Sequence, residues 1–322
     1  MYLARRGKRI EAWAPAKLNL FLEVRERRTD GYHEIETLMV AINLFDKLYF
    51  HAVSERSLSL SSRWVAGYPQ CRVAAESAED RPAMGDLPEG AENIAYRAVE
   101  QLRRRAGIEE GARMVLVKRI PSAAGLGGAS SDAAAALVAA NEGWRLGWPR
   151  ERLAEIAAEV GSDVPFFLHA GTAVCRGRGE RVSPVPFAGR LHFVVIRPPA
   201  GLATADVYRR VVPPARPVAI EPLVDALGRG DVAAAGARLV NRLESAAAAL
   251  SPWPGRLRDA LGRFGLPGWG MTGSGSSYFG LCRHARHARR IAETLRGRQP
   301  GGVFTAASLP SMTHPVRYPD VT

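Results

Sequence analysis

The segment MVLVKRIPSAAGLGGASSDAAAALVAANEGW, residues 114–144, sets a glycine- and serine-rich turn between a short apolar strand and an alanine-rich helix. Small residues at such a junction let backbone N–H groups approach an anion closely, and the start of the helix adds partial positive charge. Gly125, Leu126, Gly127, Gly128, Ala129, Ser130 and Ser131 supply this path, with two hydroxyls available to a phosphate or to Mg²⁺. It is not a Walker A loop, because neither GxxxxGKS nor GxxxxGKT occurs in the chain. A plainer reading is a tight connection in which Ser130 or Ser131 caps the helix and Asp132 favours its positive end. The two readings are compatible, but a plain connection rarely needs so long a run without side-chain bulk.

On the N-terminal side, NIAYRAVEQLRRRAG (93–107) has helical spacing and a stop at Gly107. Residues 10–26 alternate like a strand, and 35–50 form a second apolar segment reaching a third at LYFHAV, so the chain opens with β structure. Residues 61–90 mix Ser, Gly, Pro and acidic residues and read as an irregular insert or long loop. On the C-terminal side, ERLAEIAAEV is a helix stopping at Gly161, and DVPFFLHAGTAV (163–174) reads as apolar and extended. LHFVVIRP is a strand, the segments around 220–250 are helical, and GLPGWGMTGSGSSYFGLC (265–282) puts a glycine cluster before a strand. Gly268, Gly270 and Gly273 fit GxGxxG formally, but they follow no hydrophobic strand and open no helix, which excludes a dinucleotide fingerprint.

The 322 residues, 47% hydrophobic and 24% charged, suffice for one large core or two smaller ones. No apolar run approaches the roughly 18–20 residues of a membrane span, so a cytoplasmic protein with no membrane partner is expected. Three cysteines, Cys71, Cys175 and Cys282, stand far apart without metal-ligand spacing, which argues against structural zinc and disulfides. The net charge of +12 favours anionic partners. No nucleic-acid motif accompanies it, and a phosphorylated metabolite is the expected partner rather than nucleic acid.

Three blocks together resemble the GHMP kinases: APAKLNLFL (14–22), IPSAAGLGGASSDAA (120–134) and GMTGSGSSYFGL (270–281). Two more, RTDGYHEIETL (28–38) and GSDVPFFLHAGTAVCRGRGE (161–180), are similar to the branch of that family acting on a cytidine diphosphate methylerythritol. The resemblance runs from about residue 10 to residue 282. It implies an α+β fold with an N-terminal ribosomal-protein-S5-like domain (1–180) and a C-terminal GHMP domain (181–322), working as a monomer or homodimer. It also implies ATP-dependent phosphorylation, with Mg²⁺, of a 2-hydroxyl on that small-molecule substrate in non-mevalonate isoprenoid synthesis. No protein ligand set for the metal is assigned. The family's usual third loop glycine is Ala129 here, its NDLE is NRLE (241–244), and residues 61–90 do not match.

Phosphoryl transfer to an alcohol asks for a group that accepts the hydroxyl proton and for cations that hold the transferring charge. The resemblance carries the base role to Asp163 and the cationic role to Lys17. Val164, Pro165, Phe166 and Phe167 are expected to limit water around Asp163, and strand alternation puts Asn19 on the face of Lys17. Otherwise Asp163 is a loop residue bonded to nearby backbone, and Lys17 an exposed strand-end lysine. The resemblance spreads nucleotide contacts over Pro121, Ala123, Ala124 and Gly125 through Ser131. For the substrate it implies Asn19, Thr204, and Thr272, Gly273, Ser274 and Gly275. Tyr32 and Tyr208, the latter where Phe is frequent, take the two faces of the cytosine, and His33 takes its polar edge. Alternatively, Tyr32 and Tyr208 only cover a domain edge.

Overall fold

Alternating side chains over the first fifty residues build long strands in the computed structural model, which describes residues 1–65, 87–169, 171–187, 189–299, 301–310 and 316–317. Strand β1 (Tyr2–Arg6) leads to β2 (Arg9–Arg27), which pairs antiparallel with β3 (His33–Val53). LYFHAV is the end of β3 and not a third strand, because Leu48 and Phe50 continue its inward-facing alternation. Strand β4 (Leu58–Trp64) takes the start of the expected 61–90 insert. Residues 66–86 of that insert, with Cys71, lie outside the described residues.

Helix α1 (Ile94–Ala106) starts where the Asn93 carboxamide accepts the Ala95 N–H and ends at Gly107. Strand β5 (Gly111–Lys118) is followed by α2 (Gly128–Gly143), α3 (Arg150–Val160) and α4 (Val164–His169). The helix α4 replaces the extended reading of DVPFFL: Val164, Phe166 and Phe167 enter the core, as a helix buried on every side demands. Strands β6 (Thr172–Gly177) and β7 (Arg181–Pro184) close this part. Then come β8 (His192–Arg197), α5 (Thr204–Arg210), α6 (Glu221–Gly228), α7 (Val232–Gly236), β9 (Val240–Asn241), α8 (Glu244–Ala248) and α9 (Trp253–Gly262). The chain continues through β10 (Gly268–Met271), β11 (Tyr278–Cys282), α10 (Ala285–Arg296), β12 (Gly302–Ala307) and β13 (Val316–Arg317).

Two sheets result. One runs β13-β1-β2-β3-β5-β4, with β6 and β7 continuing from β3 and β9 joining β2; the other is antiparallel, β10-β11-β8-β12. Register shifts at Pro15/Ala16, Asn19/Phe21 and Val24/Glu26 bend β2, so its two halves serve different neighbours. Ala133, Ala134, Ala135 and Ala136 of α2 are fully buried, and their small side chains let the helix lie close to the sheet. At α2's end, a side chain on Gly143 would strike the Phe50 ring at 2.4 Å. Among the described residues no helix is long and apolar enough to cross a membrane.

Candidate active site

Bent β2, the 121–127 loop, the start of α4, α5 and the 272–277 loop converge on a pocket of about 920 Å³. It is lined by Lys17, Asn19, Tyr32, His33, Asp163, Thr204 and Tyr208, by the loop from Pro121 to Ser130, and by Gly273 and Ser274. Ser131, Thr272 and Gly275 do not line it. Ser131 and Thr272 are buried behind the wall.

Three residues of the 121–127 loop, Ala123 (φ 50°), Gly125 (φ 73°) and Gly127 (φ 70°), take the left-handed conformation, which turns the backbone toward the pocket. A Cβ on Gly125 would lie 2.1 Å from the Thr272 carbonyl oxygen, so the loop closes against the second glycine loop only without a side chain there. Helix α2 starts from Gly127 with no side-chain cap, and its first N–H bond is Ser131 N to Gly127 O at 2.9 Å. The expected Ser130 or Ser131 cap is therefore absent, because both serines already lie inside the first turn. The buried Ser131 Oγ has no protein hydrogen-bond partner. With the free N–H groups of the α2 start, the side-chain-free cradle and the Ser130 hydroxyl on the pocket wall fit a polyphosphate with its divalent cation.

Asp132 does not simply face the helix dipole. Its carboxyl and that of Asp46 both bond the Lys118 ammonium, and Asp46 Oδ1 also accepts the Ile120 N–H at 2.8 Å. This buried trio joins the end of β5 to the first turns of α2 and so fixes the span of the loop. Burial raises the proton affinity of Asp132 well above its ordinary value, with Lys118 opposing and Asp46 adding to the rise.

Lys17 is buried in the middle of β2, not exposed at a strand end. Its ammonium donates to Asn19 Oδ1 and lies 3.6 Å from Asp163 Oδ2. Asn19 is fixed in turn: Nδ2 donates to Thr37 Oγ1 at 2.8 Å, and its backbone N–H donates to Thr272 Oγ1 at 3.0 Å. Burial lowers the Lys17 proton affinity, and the Asp163 charge opposes that shift. Asp163 itself keeps 32% of its side chain exposed. The expected dry surroundings are thus corrected, because Val164–Phe167 turn into the core and leave the carboxylate on the pocket wall.

Asp30 Oδ1 accepts the Tyr32 N–H at 3.0 Å and shapes the DGYH turn, where Tyr32 is 51% exposed under the Arg178 guanidinium, 4.8 Å from its ring centroid. His33 and Tyr208 pack with centroids 5.4 Å apart and planes tilted 37°. Burial lowers the His33 proton affinity, Arg27 adding to it. Burial raises that of the Tyr208 hydroxyl, with the Asp163 charge assisting. Thr204 Oγ1 and Ser274 Oγ share a hydrogen bond of 2.9 Å. Residues without a sequence signal also border the pocket: Leu87, Pro88, Glu92, Asn93 and Ile94 line it on the side of the α1 start, and Arg178 overhangs Tyr32.

Residues 93–171 match the N-terminal domain of the GHMP kinases and residues 223–300 match the GHMP kinase C-terminal region. A 4-diphosphocytidyl-2-C-methyl-D-erythritol kinase of Pelotomaculum thermopropionicum is 42% identical, over 89% of this chain and 94% of its own. One of Shouchella clausii is 39% identical, over 88% and 89%. A crystal structure of 4-(cytidine 5'-diphospho)-2C-methyl-D-erythritol kinase superposes with a TM-score of 0.72 at 37% identity, covering 92% of this chain and 98% of that one. A homoserine kinase from Cytophaga hutchinsonii, at 21% identity and TM-score 0.72 over 96% and 97%, shares the fold.

Proposed function

The chain belongs to the GHMP kinase family and, within it, to the 4-diphosphocytidyl-2-C-methyl-D-erythritol kinases, and on that premise we propose that it transfers the γ-phosphoryl group of ATP to the 2-hydroxyl of 4-diphosphocytidyl-2-C-methyl-D-erythritol, a step of non-mevalonate isoprenoid precursor synthesis. One observation carries the reading: a single pocket joins a backbone phosphate cradle to the aromatic group Tyr32, His33 and Tyr208, with Lys17 and Asp163 on its wall.

When bound, ATP supplies the phosphoryl group and Mg²⁺ offsets charge on its β and γ phosphates. The loop N–H groups hold the phosphates, and Ser130, on the pocket wall, is the hydroxyl that would stand beside the divalent cation. The apolar side chains of Leu87, Pro88 and Ile94 suit the adenine ring. Lys17, fixed by Asn19, sets its ammonium against the transferring group. Asp163, open to the pocket, takes the proton of the attacking hydroxyl. Tyr32 and Tyr208 hold the cytosine faces and His33 its edge, while Gly273, Ser274 and Thr204 lie beside the substrate phosphates. The proposal includes cytoplasmic action as a monomer or homodimer and a division into domains near residue 180.

The test is isolation of the product from Mg-ATP and the cytidine diphosphate substrate. Phosphorus-31 correlation to the methylerythritol carbons is expected to put the new phosphate on C2; a phosphate on another carbon would remove the assigned regiochemistry.

A further inference from the structure

We infer that Asn241 is a positioning residue, one that holds the second glycine loop, residues 271–275, at its working distance from Lys17 and the phosphate loop; this deepens the kinase reading and rests on it. The Asn241 carboxamide donates from Nδ2 to two carbonyls of that loop, Met271 O at 2.8 Å and Gly273 O at 2.9 Å, while its Oδ1 accepts the Leu243 N–H at 3.0 Å. Every polar atom of the side chain is thereby engaged, and both donors go to the loop.

The far side of the same loop meets the reacting groups. A Cβ built on Gly273 would lie 3.1 Å from Lys17 Nζ and 3.1 Å from Gly125 O, and Thr272 Oγ1 donates to Gly125 O at 3.2 Å. Displacing this loop by about half an ångström therefore alters the spacing between the phosphate cradle and Lys17, and positioning errors of about 1 Å cost turnover by about a hundredfold.

Asn241 can serve as a fixed reference because its own backbone is locked to β2. Leu22 pairs with Asn241 in the parallel β2–β9 ladder, and Arg242 N donates to Leu22 O at 2.8 Å. Next to it, the Arg242 guanidinium grips the buried Glu23 carboxylate through Nε and a second nitrogen, each at 2.7 Å. The arginine that replaces the family's usual acidic residue at 242 thus has a partner on β2. Strand β2 carries Lys17 and Asn19, so β9 refers the C-terminal glycine loop directly to the strand that bears the lysine.

Asn241→Asp keeps the size and the acceptor but sets a carboxylate oxygen against two carbonyls. It is compared with wild type by steady-state kinetics and by hydrogen exchange in the absence of any ligand. The expected result is a fall in kcat of at least about tenfold, with KM for ATP within about threefold because the phosphate loop keeps its own anchors. Exchange at Thr272 and Gly275, whose N–H groups bond within the hairpin at 3.0 Å each, should quicken at least about tenfold while peptides elsewhere keep wild-type rates. Wild-type exchange at 271–277, uniform acceleration along the whole chain, or kcat within about twofold of wild type would overturn the inference. Asn241→Ala, which removes the donors without adding charge, is read by the same criteria if the aspartate variant does not fold. The exchange arm needs no substrate, so a wild-type enzyme inactive on the cytidine substrate would sink the proposed reaction while leaving this inference to stand or fall on exchange.

Discussion

Asp163→Asn removes a charge while keeping the shape of the side chain. Two effects follow from the geometry. With Asp163 as the proposed base, the acceptor hydroxyl loses about 10²–10⁴ in rate, or about 3–5 kcal/mol of barrier at about 1.36 kcal/mol per decade. Lys17 also loses the carboxylate 3.6 Å away. At that distance the pair attracts by about 5 kcal/mol with an effective dielectric of about 20, and by less in practice because Asp163 opens to solvent. Burial already lowers the Lys17 proton affinity and Asp163 opposes this, so without the carboxylate the ammonium gives up its proton more easily. The alkaline limb of kcat should therefore move to lower pH. Measured by ADP release at saturating substrates, kcat is expected to fall at least about a hundredfold while KM for ATP stays within about threefold. Lys17→Ala should also be severe, and the double variant should lose less than the product of the single losses, because the two groups act as a unit. Near-normal turnover of Asp163→Asn, or an alkaline limb that stays in place, would refute this reasoning.

Tyr32→Ala should lower kcat/KM for the cytidine substrate by about 1–3 kcal/mol, the value of one stacking face, and hardly affect methylerythritol phosphate, which lacks the base and is already slow. Equal losses on both would make Tyr32 structural. Gly125→Ala must place a Cβ 2.1 Å from Thr272 O at φ 73°, so KM for ATP should rise at least about tenfold, checked by initial rates; an unchanged KM would show that the loop does not hold the nucleotide. Although burial alone would raise the Glu23 carboxyl, Arg242 and the N–H groups of Val218 and Val24 hold it below its ordinary 4.5. A depressed carboxyl stabilises the fold above its unfolded value and loses that contribution as pH falls through the folded value, so thermal melts of wild type should weaken below about pH 4.5. Arg242→Ala, leaving the buried carboxylate without its cation, should cost about 3 kcal/mol, near the low end because Arg242 is partly exposed. A melting temperature unchanged by that substitution would remove the pair from the stability account.

The strand–turn–helix at 114–144 was legible because its demands are local: a strand period, a turn without side chains and an alanine run that suits only a buried helix. The neighbourhood of Lys17 and Asn19 followed from strand alternation alone. What failed depended on tertiary context. Six residues, VPFFLH, are too few for a helical period to stand out from an extended apolar run, so α4 emerged only from its packing. The water around Asp163 is not legible from Val164–Phe167, because those sequence neighbours point away from it. Ser131 looked like a cap, yet Gly127 in the left-handed region starts the helix one turn earlier. Lys118 lies 72 residues beyond Asp46 and 14 before Asp132, and no local pattern announces a buried trio. The same holds for Asn241, whose two carbonyl partners lie thirty and thirty-two residues away.

The central claim is that this pocket phosphorylates the methylerythritol end of a molecule recognised by its cytosine. ADP release from Mg-ATP by the purified chain, measured with and without 4-diphosphocytidyl-2-C-methyl-D-erythritol and with homoserine and mevalonate as rivals, tests it most directly. Stoichiometric ADP release is expected with the cytidine substrate alone, abolished by excess chelator because the transferring charge then lacks its divalent cation. Release that is equal without the cytidine substrate, faster with homoserine or mevalonate, or undiminished in chelator would contradict it.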